Sequence, residues 1–255
     1  MSLSQDPAFP TLKDYFVCGY RDISDQKYAG ASGLHEPNGN AINTSNGAGP
    51  HNLQLFVLSA DGTVLTCLPG YWNPSDLVEE LRLAAQLNRV WQDPSLSRAQ
   101  KDQIFSQMHL DHIAQHSPAM VRRSRMQGFD QQYEAKHHLL TSDTIADRKL
   151  AAMMTVKGAK PIPGAFKTTD EIMHERMAKR PFVAYADFDV AAYSKYGKLK
   201  YDKHEDARDG SGQVNKAVAR SEPTIGNPSA MNNGGPSPTN IGLRRALMMG
   251  LRVLR

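Results

Sequence analysis

Apolar and polar positions are most sharply ordered between Leu53 and Trp91. Leu53-Gln54-Leu55-Phe56-Val57-Leu58 is rich in branched and aromatic residues, as a strand buried on at least one face requires. Asp61-Gly62 follows, and Asp-Gly favours a type I′ hairpin turn because both central residues need positive φ. Thr63 to Leu68 then reads as the returning strand, ended by Pro69-Gly70. Leu77, Leu81, Ala84, Ala85 and Leu87 next form an apolar stripe at helical spacing, with Ser75 as the expected N-cap. Asp76, Glu79 and Glu80 put negative charge in the first turn of that helix, where the helix dipole favours it.

Beyond Trp91 the strand period disappears and helical spacing takes over. Asp93-Pro94-Ser95 breaks the chain, and a second helix is expected from about Arg98 through Gln115. Residues 126 to 167 read as irregular helices joined by loops around Gly158, Pro161, Pro163 and Gly164. Thr168 with Glu171 fits a capping box, opening a helix to about Lys179 before Pro181. Phe182, Val183, Tyr185, Phe188, Tyr193 and Tyr196, with Tyr201, then supply apolar anchors for packing a C-terminal arm or meeting a partner. A last stripe of Leu243, Leu247, Leu251 and Leu254 marks a basic amphipathic tail.

The 19 glycines and 15 prolines gather in two places, about 30–50 and about 209–239. The first is a long turn-rich loop. The second has the composition of a flexible, disordered linker. The net charge of +4 resides in the tail, where Arg244, Arg245, Arg252 and Arg255 face no acidic residue, so the rest of the chain is balanced. A nucleic-acid surface on the folded part is therefore not expected. No apolar run reaches the roughly 18–20 residues of a membrane span, and the first ten residues have no signal-peptide pattern, which makes the cytoplasm the default location. An unidentified protein is the expected partner, with weak contact to an anionic membrane surface through the tail.

The order of strand, Asp-Gly turn, antiparallel strand, Pro-Gly exit and amphipathic helix resembles the C-terminal half of a thioredoxin-like fold. Tyr15-Phe16-Val17-Cys18 is then similar to the strand whose end carries the redox cysteine of that family. The resemblance implies an α/β protein in which 1–92 is a thioredoxin-like sheet with helices. A mostly helical extension (93–202), the linker (203–239) and the tail (240–255) would follow. The chain departs from the family where activity resides. Cys18-Gly19-Tyr20-Arg21 has no resolving cysteine, Pro50 lies slightly too early for the cis-proline before the hairpin, and a Gly- and Asn-rich stretch replaces the helix after the redox motif. These departures favour a redox-inactive binding or scaffold module. The alternative is a single-cysteine thiol oxidoreductase or peroxidase-like enzyme with Cys18 as nucleophile.

The other chemistry is sparse. Cys18 and Cys67 are expected as two free thiols, Cys67 as a small buried hydrophobe in mid-strand. His109, His112 and His116 fall at i, i+3 and i+7 with Phe105 on one helical face. Imidazoles one turn apart can converge on an ion, yet no carboxylate or cysteine on that face completes a set. The stripe therefore reads as solvated or partner-facing, with no metal or cofactor expected. Val121-Arg122-Arg123-Ser124-Arg125 reads as a solvated basic helix face or turn.

Overall fold

The hairpin forms where the alternation places it. In the computed structural model, which describes residues 2–31, 44–156, 158–199 and 209–213, strand β1 (Gln54–Leu58) pairs antiparallel with β2 (Val64–Pro69). Its connection differs from the expected two-residue turn. Gly62 alone takes positive φ (84°), and Asp61 stays outside that region. Ser59 N donates to Thr63 O at 2.9 Å and Gly62 N to Ser59 O at 3.1 Å, closing a three-residue loop with a left-handed glycine at its end. The Asp61 carboxylate explains the wider loop, because it accepts the Ser59 hydroxyl and the Thr63 amide instead of folding into the turn.

Eight α-helices are assigned among the described residues. Helix α1 is Ala8–Tyr15, and it occupies part of the segment expected to be a strand. Phe16 and the residues up to Ile23 form neither helix nor strand, so the only sheet among the described residues has two strands. The short apolar run Phe16-Val17 finds no neighbouring strand to pair with among those residues, and Val17 is fully exposed.

Helix α2 (Pro74–Gln92) begins one residue before the expected cap. Asn73 caps it, accepting from Ser75 N at 3.1 Å, while Pro74 supplies a first helical residue that needs no donor. Helix α3 (Arg98–Gln115) starts at a Ser97/Gln100 capping box, and α7 (Thr169–Met177) starts at the Thr168/Glu171 box. The shorter helices are α4 (Pro118–Arg123), α5 (Gly128–His138), α6 (Arg148–Ala152) and α8 (Val190–Tyr193). The architecture is thus mixed helix and strand, with helices predominant.

One core holds the pieces together, and residues on both sides of position 92 share it. Leu68 and Cys67 of β2, Leu77 and Leu81 of α2, Phe105 of α3 and Met173 of α7 all belong to it. Phe182, Phe188 and Tyr193 return along β2 and seal it, with Val64 N donating to Val183 O at 2.8 Å. The aromatic anchors of this segment therefore pack inward. Tyr201, the linker and the basic tail fall outside the described residues except for 209–213.

Loop residues 44–50 are pinned by buried polar contacts. Asn46 donates to Asp76 Oδ2 at 2.8 Å and to Ser124 Oγ at 3.1 Å, and its own amide oxygen accepts from Asn73 N at 2.8 Å. Arg123 grips both oxygens of Asp76, at 2.8 and 2.5 Å, so this member of the basic run is paired and not merely solvated. Thr169 donates its hydroxyl to the carbonyls of Asn46 and Ser124. The network ties the start of α2 to α4 and to the start of α7, which fixes the helices around the site described next.

Candidate metal centre

Three helices deliver ionisable side chains to one buried point. Glu80 is on α2 between Leu77 and Ala84, on the face that packs inward. His109 and His112 are on α3, and His116 is its C-capping residue. His174 and Asp170 are one turn apart on α7. The α3 histidines do share a face, and that face is inward. His109 and the side chain of His116 are buried, which overturns the solvated reading of the stripe. The reason is the apolar company of Phe105, which packs in the core and turns the same face of α3 toward α2 and α7.

The Glu80 side chain is wholly buried, and its Oε1 lies 3.3 Å from His174 Nε2 and 3.5 Å from Nε2 of both His112 and His116. Only the His174 contact has hydrogen-bond geometry; the buried Nε2 atoms of His112 and His116 have no hydrogen-bond partner among the described residues. Buried side-chain polar atoms without such a partner gather here: Glu80 Oε2, Nε2 of His112 and His116, and Asp170 Oδ1, whereas His109 Nε2 faces away toward the Leu65 backbone. Each orphan of this kind costs about 1–3 kcal/mol, so their concentration in one place points to a ligand. One donor atom each from Glu80, His112, His116 and His174 lies within 4.8 Å of the others.

The three distances from Glu80 fit edges of a four-coordinate site. Bonds of roughly 2.0–2.1 Å to nitrogen or oxygen imply tetrahedral edges of roughly 3.3–3.4 Å, close to the 3.3–3.5 Å separating Glu80 Oε1 from the three imidazole nitrogens. Behind the inner donors, His116 Nδ1 meets Asp170 Oδ2 at 2.6 Å and His174 Nδ1 meets His109 Nδ1 at 2.9 Å.

Electrostatics follow from the enclosure. Burial alone would raise the Glu80 carboxyl, but His174, His112 and His116 outweigh it and hold the group well below the usual carboxylate range. Burial, reinforced by the neighbouring His174 ring, keeps His109 neutral by pushing it well below the ordinary histidine value. Burial also opposes protonation of His116, yet Asp170 and Glu80 raise it to about 9.

Cys18 lies elsewhere. It is free and exposed, and it lines a groove of about 1310 Å³ with Tyr20, Tyr28, Asn52 and Phe56. His51 is not turned toward a thiol: its ring nitrogens lie 3.2 Å from Tyr28 O and 3.0 Å from Tyr196 O. Arg21 is engaged by the Tyr185 side chain. Cys67 is free and buried in β2, where burial pushes its thiol well up.

Glu80 and His174 were the missing members of the set. Glu80 reads locally as first-turn helix charge, although its position between Leu77 and Ala84 on an apolar stripe marks it as inward. His174 carries a weaker signal, its i, i+4 spacing from Asp170 within a short capped helix. No protein-family model, no curated protein and no solved structure matches this chain.

Proposed function

We propose that this is a metal-binding protein in which Glu80, His112, His116 and His174 hold a divalent transition ion that locks α2, α3 and α7 together. The observation that carries the reading is the convergence of three imidazole nitrogens on one buried carboxylate oxygen at tetrahedral edge length. Charge supports it as well. Two buried carboxylates, Glu80 and Asp170, lie among the imidazoles, and a doubly charged cation displacing the proton of His116 would balance them. Imidazole and carboxylate donors suit zinc, iron, cobalt or nickel better than the all-oxygen preference of magnesium or calcium. Four protein donors and near-complete burial favour a structural centre over one with an open catalytic position.

A binding or scaffold role without dithiol turnover accords with this reading. Support for a thioredoxin-like arrangement is confined to the hairpin and the helix that follows it, because the Cys18 segment is not part of the sheet. The single-cysteine enzyme has the exposed Cys18 thiol and its groove in its favour, but among the described residues His51 is turned away to backbone carbonyls and Arg21 is engaged by Tyr185.

The test is direct titration. Full-length protein stripped with a chelator should bind one zinc ion per chain. Glu80→Gln and His174→Ala should each weaken binding by more than about a hundredfold, beyond the loss usual for outer hydrogen-bond partners. No saturable binding, or equal binding by His174→Ala, would refute the proposal.

A further inference from the structure

A histidine that ligates through Nε2 offers that nitrogen's lone pair, so its proton must sit on Nδ1. The identity of the group facing Nδ1 then decides the tautomer, the ring orientation and the electron density at the ligating nitrogen. Two of the proposed ligands have such a group, each supplied from a different helix. His116 at the end of α3 is faced by the buried Asp170 carboxylate of α7, at 2.6 Å. His174 of α7 is faced by the buried His109 of α3, at 2.9 Å. The helices thus exchange supports: each backs a ligand carried by the other.

The two supports differ in chemistry. Asp170 presents a charged acceptor and strengthens the donor power of His116. His109 can accept from His174 Nδ1–H only through a deprotonated Nδ1, which places its own proton on Nε2. It is therefore a neutral acceptor, packed against Phe105 with ring planes tilted by 56° and centroids 4.6 Å apart, and so fixed in orientation.

We infer that Asp170 and His109 are the positioning residues of the metal centre, setting the tautomers of His116 and His174 and thereby the affinity and ligand field of the ion. The inference rests on the metal-binding reading above. It adds two residues that do not touch the ion, and it predicts that they act unequally: loss of the charged support changes the ligand field more than loss of the neutral one.

Cobalt(II) tests it, because its visible absorption reports the ligand field. Full-length protein and its Asp170→Asn, His109→Leu and His109→Gln variants are stripped and titrated with cobalt, and zinc affinity is measured by competition with a chromophoric chelator. Asp170→Asn is expected to weaken zinc binding about 10–100-fold and to shift the cobalt bands. His109→Leu, which leaves His174 Nδ1 without an acceptor, should weaken binding with a smaller shift, and His109→Gln, which restores an oxygen acceptor, should recover most of the affinity. Affinities within threefold of the parent for Asp170→Asn and His109→Leu would overturn the inference while leaving the centre standing. Weakened binding with unaltered bands and a lower melting temperature of the metal-free variants would also overturn it, since that pattern denotes lost packing. Failure of the parent protein to bind cobalt or zinc would instead remove the centre itself, and the inference with it.

Discussion

Removing the ion should lower the melting temperature by an amount that the arrangement of the ligands allows to be worked out. The four proposed donors come from residues 80, 112, 116 and 174 on three helices, and only the folded chain brings them within 4.8 Å. The unfolded chain offers little more than the local His112/His116 pair, so the ion binds the native state almost exclusively and stabilises it by RT ln(1 + [L]/Kd), about 2.7 kcal/mol at a hundredfold excess over Kd. For a protein of this size each kcal/mol moves the midpoint by about 2–4 °C, giving a zinc-dependent shift of about 5–11 °C. Differential scanning calorimetry on stripped protein, with and without zinc, measures it. The shift should shrink as pH falls below about 9, the value to which, against burial, Asp170 and Glu80 raise His116, because protons compete for imidazoles that must be neutral to ligate. A midpoint unmoved by zinc, or a shift that survives Glu80→Gln, would refute the reasoning.

Arg176→Ala should cost about 1–3 kcal/mol in urea unfolding, because it strips partners from the carbonyls of Tyr193 and Lys195, while the half-exposed Asp143 is left to water. Burial raises the Asp143 carboxyl, but Arg176 outweighs it and lowers the group below its ordinary value. The pair's stabilisation is therefore full above about pH 4 and lost as pH falls through the lowered value; Asp143→Asn should flatten that acid limb of a stability–pH curve. Gly70→Ala should destabilise by more than about 1 kcal/mol in the same assay, since φ is 73° and a Cβ would meet the Ala48 carbonyl oxygen and, at 2.7 Å, the Gly47 carbonyl carbon. In native protein a maleimide should label the exposed Cys18 and spare Cys67 until denaturant is added, as mass spectrometry of tryptic peptides would show; equal labelling of both would contradict the buried placement of Cys67.

The elements that the sequence discloses are those specified by neighbours along the chain. The hairpin, helix α3 from Arg98 to Gln115 and the capping box at Thr168 all depend on residues no more than about one element apart. The strand expected at Tyr15–Cys18 failed because a short apolar run has no partner written beside it: Ala8 to Tyr15 coil into a helix with Ala8 buried, while Val17 and Cys18 face solvent. The candidate centre was half legible for the same reason. The i, i+3, i+7 spacing put three histidines on one face, but the direction of that face depends on Phe105 finding Phe182 and on α3 packing against α7. Glu80 and His174 stand 94 residues apart and acquire meaning only when those contacts form.

The indole of Trp91 donates to Asp61 at 2.9 Å, joining the hairpin tip to the last turn of α2, while Arg98 and Lys101 lie 5.3 and 5.4 Å from its ring centre. Trp72, the other tryptophan, is shut in the core and donates to Pro69 O. The chain thus carries a built-in fluorophore at the seam between sheet and helix. With Trp72→Phe as background, its emission colour and quenching follow the undocking of the tip from the helix end without any attached dye.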